Sequence, residues 1–285
     1  MRLKDTKIAR YLLHLRSMQR VNMAMSRGAA TSAMRRIDPH DPRTWEFSGF
    51  SQNGEDGIIE YLSRSIKVPN RYFIEIGASD GVENNTTWLA LAMRFSGLMI
   101  EGDPDQAALC KYWISHLCSG VECNSFFVNK DSVPYLRKLA VHWSPDVFSL
   151  DIDGNDYYVA SSLLEHDFRP KIIVVEYNSV FGPELKLSIP YDPNFVIREG
   201  YAVSLYYGCS IAAWKQLLHK YDYEFITVDQ NGVNAFFVDP KQVCMETFTS
   251  LKKQEYLSAA SHDREYRMSR EQRFNLIKDM PLTKL

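Results

Sequence analysis

The sequence predicts an α/β fold, a doubly wound and mostly parallel sheet covered by helices on both faces. Three observations carry that expectation. Short apolar runs recur at Tyr72–Ile76, Gly97–Glu101, Ser125–Val128, Val147–Ile152 and Ile172–Glu176. Helical segments lie between and around them, at 55–66, 84–95, 104–118, 131–141, 155–166 and 209–220, the alternation of a parallel sheet with helical crossovers. Two last runs, Tyr223–Val228 and Asn234–Val238, flank Asp229-Gln230-Asn231-Gly232. That is a hairpin signal, and it adds an antiparallel edge.

The ends of the chain differ from this body. The first forty residues hold nine Lys/Arg against two Asp/Glu, a charge of +7, which leaves −9 on the rest of a chain of net charge −2. Ile8, Leu12, Leu15 and Met18 recur there at helical spacing among Lys7, Arg10, Arg16 and Arg20. Residues 1–45 therefore read as a basic helical extension. It either packs on its own domain or a second subunit of a homo-oligomer, or docks at a membrane surface. Asp38-Pro39-His40-Asp41-Pro42 is a turn cluster and the linker candidate. A catalytic domain spans 46–245, with a lid or acceptor insertion at 179–207 that holds Phe181, Tyr201, Tyr206 and Tyr207. Residues 246–285 read as a helical tail.

Composition narrows the function classes. A hydrophobic content of 45% with 13% aromatics supplies a packed core and excludes a disordered chain. The five cysteines form no CxxC pair, so a disulfide framework or a tetrahedral zinc site is not expected, and reduced thiols in a cytoplasmic protein are the default. No stretch approaches the roughly 18 apolar residues of a membrane span. An acidic body without a basic stripe disfavours nucleic acid. No nucleophile elbow or Walker loop is present, so hydrolysis and phosphoryl transfer are poorly supported.

In a doubly wound sheet, ligands bind beyond the carboxyl ends of the strands. The loop after the first run reads Glu75-Ile76-Gly77-Ala78-Ser79-Asp80-Gly81. Glycine there lets a ligand lie against the backbone and permits positive φ. Glu101 ends the second run, where a carboxylate accepts hydrogen bonds from ribose hydroxyls. A nicotinamide cofactor usually wants a third glycine opening the helix against its pyrophosphate. Here Asp80, Glu83, Asn84 and Asn85 stand instead. Two acids at that place repel a pyrophosphate and suit a zwitterionic amino-acid tail or a sulfonium. S-adenosylmethionine is therefore favoured over NAD, and an NAD-type oxidoreductase is the rival reading, with a non-catalytic binding module as the other.

At this point the chain resembles a known family. YFIEIGASDGVENNTTWLA (72–90) followed by GLMIEGDP (97–104) is similar to the FkbM-type class I methyltransferases, as are SQNGEDGII (51–59), YYGCSIAAW (206–214) and GVNAFFV (232–238). The resemblance covers roughly residues 50–240. It implies a Rossmann-like sheet, S-adenosylmethionine as donor, and O-methylation of a sugar, glycolipid or secondary-metabolite acceptor. Carried over by position, Glu75, Gly77, Ala78, Asp80 and Gly81, with Asn85, line the methionine end. Glu101 holds the ribose, and Asn129-Lys130 border the adenine. Gln52, Glu55 and Asp56 fold over the methionine carboxylate or the acceptor.

A second site is expected at the ends of the fourth and fifth runs, Asp151-Ile152-Asp153-Gly154-Asn155-Asp156 and Glu176-Tyr177-Asn178. Residues two apart on a strand share a face, so Asp151 groups with Asp153 and Glu176 with Asn178. Carboxylates brought that close need a shared proton or a cation. A hard divalent ion such as Mg²⁺ accepts this set and would activate a bound acceptor hydroxyl. Asp151 and Asp153 are the candidate catalytic residues, Asp151 also facing the cofactor. The common FkbM-type pattern has a single Asp followed by Gly-Glu here, and DIDGND departs from it.

Overall fold

The computed structural model describes residues 7–197 and 200–285, and of residues 7–14 only the backbone. The chain enters through a long helix, α1 (Lys7–Met34). The side chains of Lys7, Ile8, Arg10 and Leu12 lie outside the described residues. Further along, Val21 and Ala24 are buried in the main core, while Leu15 is exposed. Gly28 meets the Trp88 ring and the Gly49 backbone, so close that a Cβ would come within 2.6 Å of the ring. Arg35, just past the helix, donates to Trp45 O at 2.5 Å and to Glu60 Oε1 at 2.6 Å. The described part of the basic head is thus built into its own domain.

After α2 (Glu55–Ser63) the chain alternates between strand and helix: β1 (Tyr72–Ile76), α3 (Thr87–Leu91), β2 (Ser96–Glu101), α4 (Pro104–Leu117), β3 (Val121–Ser125), α5 (Val133–Leu139), β4 (Val147–Leu150), α6 (Asp156–Glu165) and β5 (Ile172–Glu176). A short strand β6 (Leu187–Ser188) follows, then α7 (Ile211–Lys220) and the hairpin β7 (Glu224–Val228) and β8 (Asn234–Val238). The tail holds α8 (Ala260–Tyr266), α9 (Arg270–Ile277) and β9 (Thr283–Lys284), which pairs antiparallel with β6.

Seven strands form one sheet in the order β3-β2-β1-β4-β5-β8-β7. The first five in that order run parallel, and β8 is antiparallel to both its neighbours. This is the Rossmann-like arrangement expected for the class I methyltransferase fold. Strands buried on both faces read as continuous apolar runs. β1, β4 and β8 are buried at every residue. On one face Phe73, Val147, Val174 and Phe236 pack against Val21, Ile58, Leu62, Leu89 and Trp113. On the other, Ile74, Phe148, Val175 and Phe237 meet Val159, Leu163, Trp214 and Leu217. A smaller cluster joins the 179–207 insertion to the tail through Val180, Phe181, Leu205, Tyr266 and Ile277. Among the described residues no helix is long and apolar enough to cross a membrane.

Three of the differences from the sequence expectation shape the site. The third strand is Val121–Ser125, not Ser125–Val128, because the more apolar Phe126-Phe127-Val128 is spent on a cavity wall. The helix expected over 84–95 shrinks to five residues, since Asn85 N–H and the Thr86 hydroxyl both donate to Glu75. The fourth strand stops at Leu150. Asp156 draws Ile152 N–H and Gly154 N–H into a turn, each at 2.8 Å.

Candidate active site

A cavity of about 770 Å³ opens at the carboxyl ends of β1, β2, β4 and β5. The β1 loop forms its floor through a close approach of backbones. Gly77 sits at φ +89°, and a Cβ there would fall 1.6 Å from Asp151 O. The glycine therefore lets the β1 and β4 loops meet, rather than clearing space for a ligand. Gly81, at φ +74°, is likewise packed against Cys110 Sγ and Trp113.

Glu101, at the end of β2, is pre-oriented by two amides. Ser79 N–H donates to its Oε2 and Asp103 N–H to its Oε1, each at 2.7 Å. Lone pairs remain on both oxygens for a diol. Beyond it, Ile100, Pro104, Phe126, Phe127 and Val128 give an apolar end. The expected adenine border, Asn129-Lys130, does not reach this end. Asn129 instead caps a turn by accepting from Asp131 N–H, and Lys130 lies over the Tyr191 ring at 4.6 Å. Neither lines the cavity, whereas the three residues before them do.

Glu75, Gly77 and Asn85 line the cavity as expected, together with Ser79 and Asn84. Ala78, Asp80 and Gly81 do not. Asp80 turns away to an ion pair with Arg20 of α1, which also reaches Glu83 at 3.2 Å. The two acids taken to face a ligand are thus partly neutralised from within. Glu75 is buried and accepts from Asn85 N–H at 2.8 Å and the Thr86 hydroxyl at 2.5 Å. Burial, helped by the charge of Asp56, pushes its carboxyl up to about 7.

The residues ahead of β1 also reach the site. Gln52 Nε2 donates to Glu83 at 3.3 Å. Glu55 accepts from Asn53 N–H at 2.7 Å and from Asn234 Nδ2 at 2.7 Å, and all three residues line the cavity. Asp56 does not face it. One of its oxygens gathers Gly49, Phe50 and Ser51 N–H at 2.7, 2.7 and 2.9 Å, which fixes the loop before α2.

At the ends of β4 and β5, single carboxylate oxygens of Asp151, Asp153 and Glu176 all lie within 4.8 Å of one another. The pairing expected from strand alternation arises differently. Asp153 has left the strand at φ +58° and swings back toward Asp151. Burial, together with the charge of Asp153, holds Asp151 well above the usual carboxylate range. Burial and the charge of Asp151 do the same to Glu176. Asp153, more exposed than the other two, is raised as well, by desolvation first and by the charge of Glu101 second. Asn178 is not in this group. It lies past the end of β5, fully buried, where its Nδ2 donates to Leu205 O at 2.8 Å and Tyr207 O at 2.9 Å while Oδ1 accepts from Val180 N–H. Its amide holds the insertion rather than a ligand.

Of the 179–207 insertion, Phe195, Val196 and Ile197 line the cavity, and the Phe195 ring covers Gly154 closely. Tyr201 is exposed, and Tyr207 is buried in the core. Sequence reasoning missed Val233 and Asn234, which line the cavity from the start of β8. The hairpin signal marked the turn, but not that its far side returns to the site.

No protein-family model matches the sequence, and no curated protein matches it. Among solved structures the chain is similar to an O-methyltransferase from Bacillus cereus in complex with SAH. That alignment has 16% identity, covers 77% of this chain and 89% of that one, and has a TM-score of 0.45. A putative caffeoyl-CoA O-methyltransferase from Staphylococcus aureus aligns at 14% identity over 80% and 97% of the two chains, with a TM-score of 0.45. The O-methyltransferase TomG from Streptomyces achromogenes, in complex with SAM, aligns at 16% identity over 74% and 94%, with a TM-score of 0.43.

Proposed function

We propose that this protein transfers a methyl group from S-adenosylmethionine to a hydroxyl of a sugar-like acceptor. One observation carries the reading. Among the described residues the cavity wall presents eight carboxylates (Glu55, Glu75, Glu83, Glu101, Asp103, Asp151, Asp153 and Glu176) and no Lys, Arg or His. Burial keeps several of these acids readily protonated, and Arg20 partly offsets Glu83. A wall with acids and no facing cation still favours a sulfonium and an α-ammonium over the pyrophosphate of a dinucleotide. The pre-oriented Glu101 suits a ribose diol, and the Phe126–Val128 wall suits a base. The ordered blocks that resemble the FkbM-type methyltransferases point to the sugar hydroxyl, the finer part of the proposal.

Methyl transfer is an in-line displacement. The acceptor oxygen forms a bond to the methyl carbon as the sulfur–carbon bond breaks, and the hydroxyl proton must go to a base. The donor is already activated, so the protein supplies approach geometry and that base. Asp151, Asp153 and Glu176 are the candidates to take the proton, since burial and their mutual repulsion raise their affinity for it. Their oxygens also fit a hard divalent cation such as Mg²⁺. When bound, such an ion would lower the pKa of the acceptor hydroxyl.

Calorimetry with S-adenosylhomocysteine and with NAD on the full chain tests the donor. Binding of the first alone is expected, and binding of NAD alone would overturn the reading. Transfer of a labelled methyl group to a panel of glycosides then tests the acceptor class.

A further inference from the structure

Asn234 stands out among the cavity residues. It is 3% exposed, yet its Oδ1 has no hydrogen-bond partner. Buried polar atoms are nearly always satisfied, and one that is not calls for an unseen partner. Its orientation is not accidental. Asn234 Nδ2 is tied to Glu55 at 2.7 Å, and its backbone N–H is held by Asp229, which also gathers Asn231 and Val233 N–H at 2.7 and 3.1 Å. Asp229 thereby locks the start of β8.

The sheet register says what lies beside it. Asn234 on β8 is the direct partner of Glu176 on antiparallel β5. Tyr177 N–H donates to Val233 O at 3.0 Å, which makes the adjoining pair Tyr177 and Val233 the hydrogen-bonded one. Glu176 and Asn234 then form a non-hydrogen-bonded pair, the kind whose Cα atoms approach to about 4.5 Å and whose side chains stand closest on one face. Asn234 therefore stands beside Glu176 of the three-carboxylate cluster, on the wall of the same cavity.

We infer that Asn234 Oδ1, with Asp151, Asp153 and Glu176, forms a four-oxygen site for one hard divalent cation. The neutral oxygen expected from Asn178 is supplied instead by a residue on the antiparallel hairpin. Three carboxylates and one amide carbonyl suit Mg²⁺ or Mn²⁺, which keep waters or acceptor oxygens in their remaining positions. The site stands on the geometry alone. Only the role of the cation, activating an acceptor hydroxyl, rests on the methyltransferase reading.

The test is Mn²⁺ binding to the full chain, by calorimetry and by the quenching of the free-ion electron paramagnetic resonance signal. One bound ion is expected. Asp151→Asn and Glu176→Gln should abolish it, and Asn234→Ala should weaken it at least tenfold. Asn234→Asp keeps an oxygen at that place and should retain binding, which covers the case in which the alanine variant fails to fold. No Mn²⁺ binding by the parent overturns the inference. So does an Asn234→Ala variant that folds and binds as the parent does. S-adenosylhomocysteine binding, measured separately, tests the methyltransferase reading. A chain that takes Mn²⁺ but not the nucleoside keeps this site and loses that function.

Discussion

At Gly77 the tolerance for change is almost nil. A methyl group there would collide with Asp151 O at a backbone conformation of φ +89° that other residues rarely adopt. Gly77→Ala should destabilise the fold by about 2–4 kcal/mol, from backbone strain and overpacking together, as read by urea denaturation. A change under about 0.5 kcal/mol would mean that the two loops are not in contact. Glu101 is the opposite case, a residue whose loss is expected to be felt in binding. If Glu101 holds a ribose diol as proposed, replacing it with alanine removes charge-assisted hydrogen bonds worth roughly 1.5–3 kcal/mol. The affinity for S-adenosylhomocysteine should fall about 10- to 100-fold, and an unchanged affinity would remove Glu101 from the nucleoside site. The sequence marked both positions, but it read Gly77 as clearance for a ligand where the glycine instead lets the β1 loop meet Asp151 O. Asn178 and Asn234 were not told apart. Each is an asparagine near a strand end, and only the register of β5 with β8 decides which one faces the cavity.

Among the elements, α2 and α1 are joined at one buried charge. Glu60 accepts from Arg35 at 2.6 Å, Arg64 at 2.7 Å and Trp88 Nε1 at 2.9 Å. The Arg35 guanidinium also lies over the Phe47 ring at 4.6 Å. Arg35→Ala would leave Glu60 with one exposed guanidinium partner and open a gap beside the ring. It should cost about 2–4 kcal/mol, on the scale of breaking a buried pair, and it should loosen α1 in hydrogen exchange. The strands that pack on both faces were read correctly to within two residues, since continuous apolar runs have no other place to go. The edge strand β3 was misplaced. Val-Glu-Cys-Asn-Ser is half-exposed and carries little apolar signal, whereas the neighbouring Phe-Phe-Val advertises itself as a strand and serves as a cavity wall. Local hydrophobicity cannot distinguish a core from a ligand pocket.

Taken as a whole, the molecule buries acids in unusual company. Burial pushes Glu46 up to about 8 and Asp56, Glu75 and Asp229 up to about 7. Unfolded, these groups titrate near 4, so between about pH 4 and 8 the folded state binds more protons. The stability they confer is complete at the acid end of that window and is lost as pH rises through 7 to 8. The melting temperature in low salt with EDTA should therefore be lower at pH 8.5 than at pH 5.5. An equal or higher value at pH 8.5 would show that these carboxyls are ionised in the fold at low pH. The eight carboxylates of the cavity wall have a kinetic side as well. On the proposed reading, methyl transfer turns a sulfonium into an uncharged thioether, so the spent nucleoside would leave a wall whose attraction for it has dropped by one full charge. Such a site would favour exchange of product for fresh donor. The affinity ratio of S-adenosylmethionine to S-adenosylhomocysteine should accordingly be largest at low ionic strength and decline as salt screens the wall.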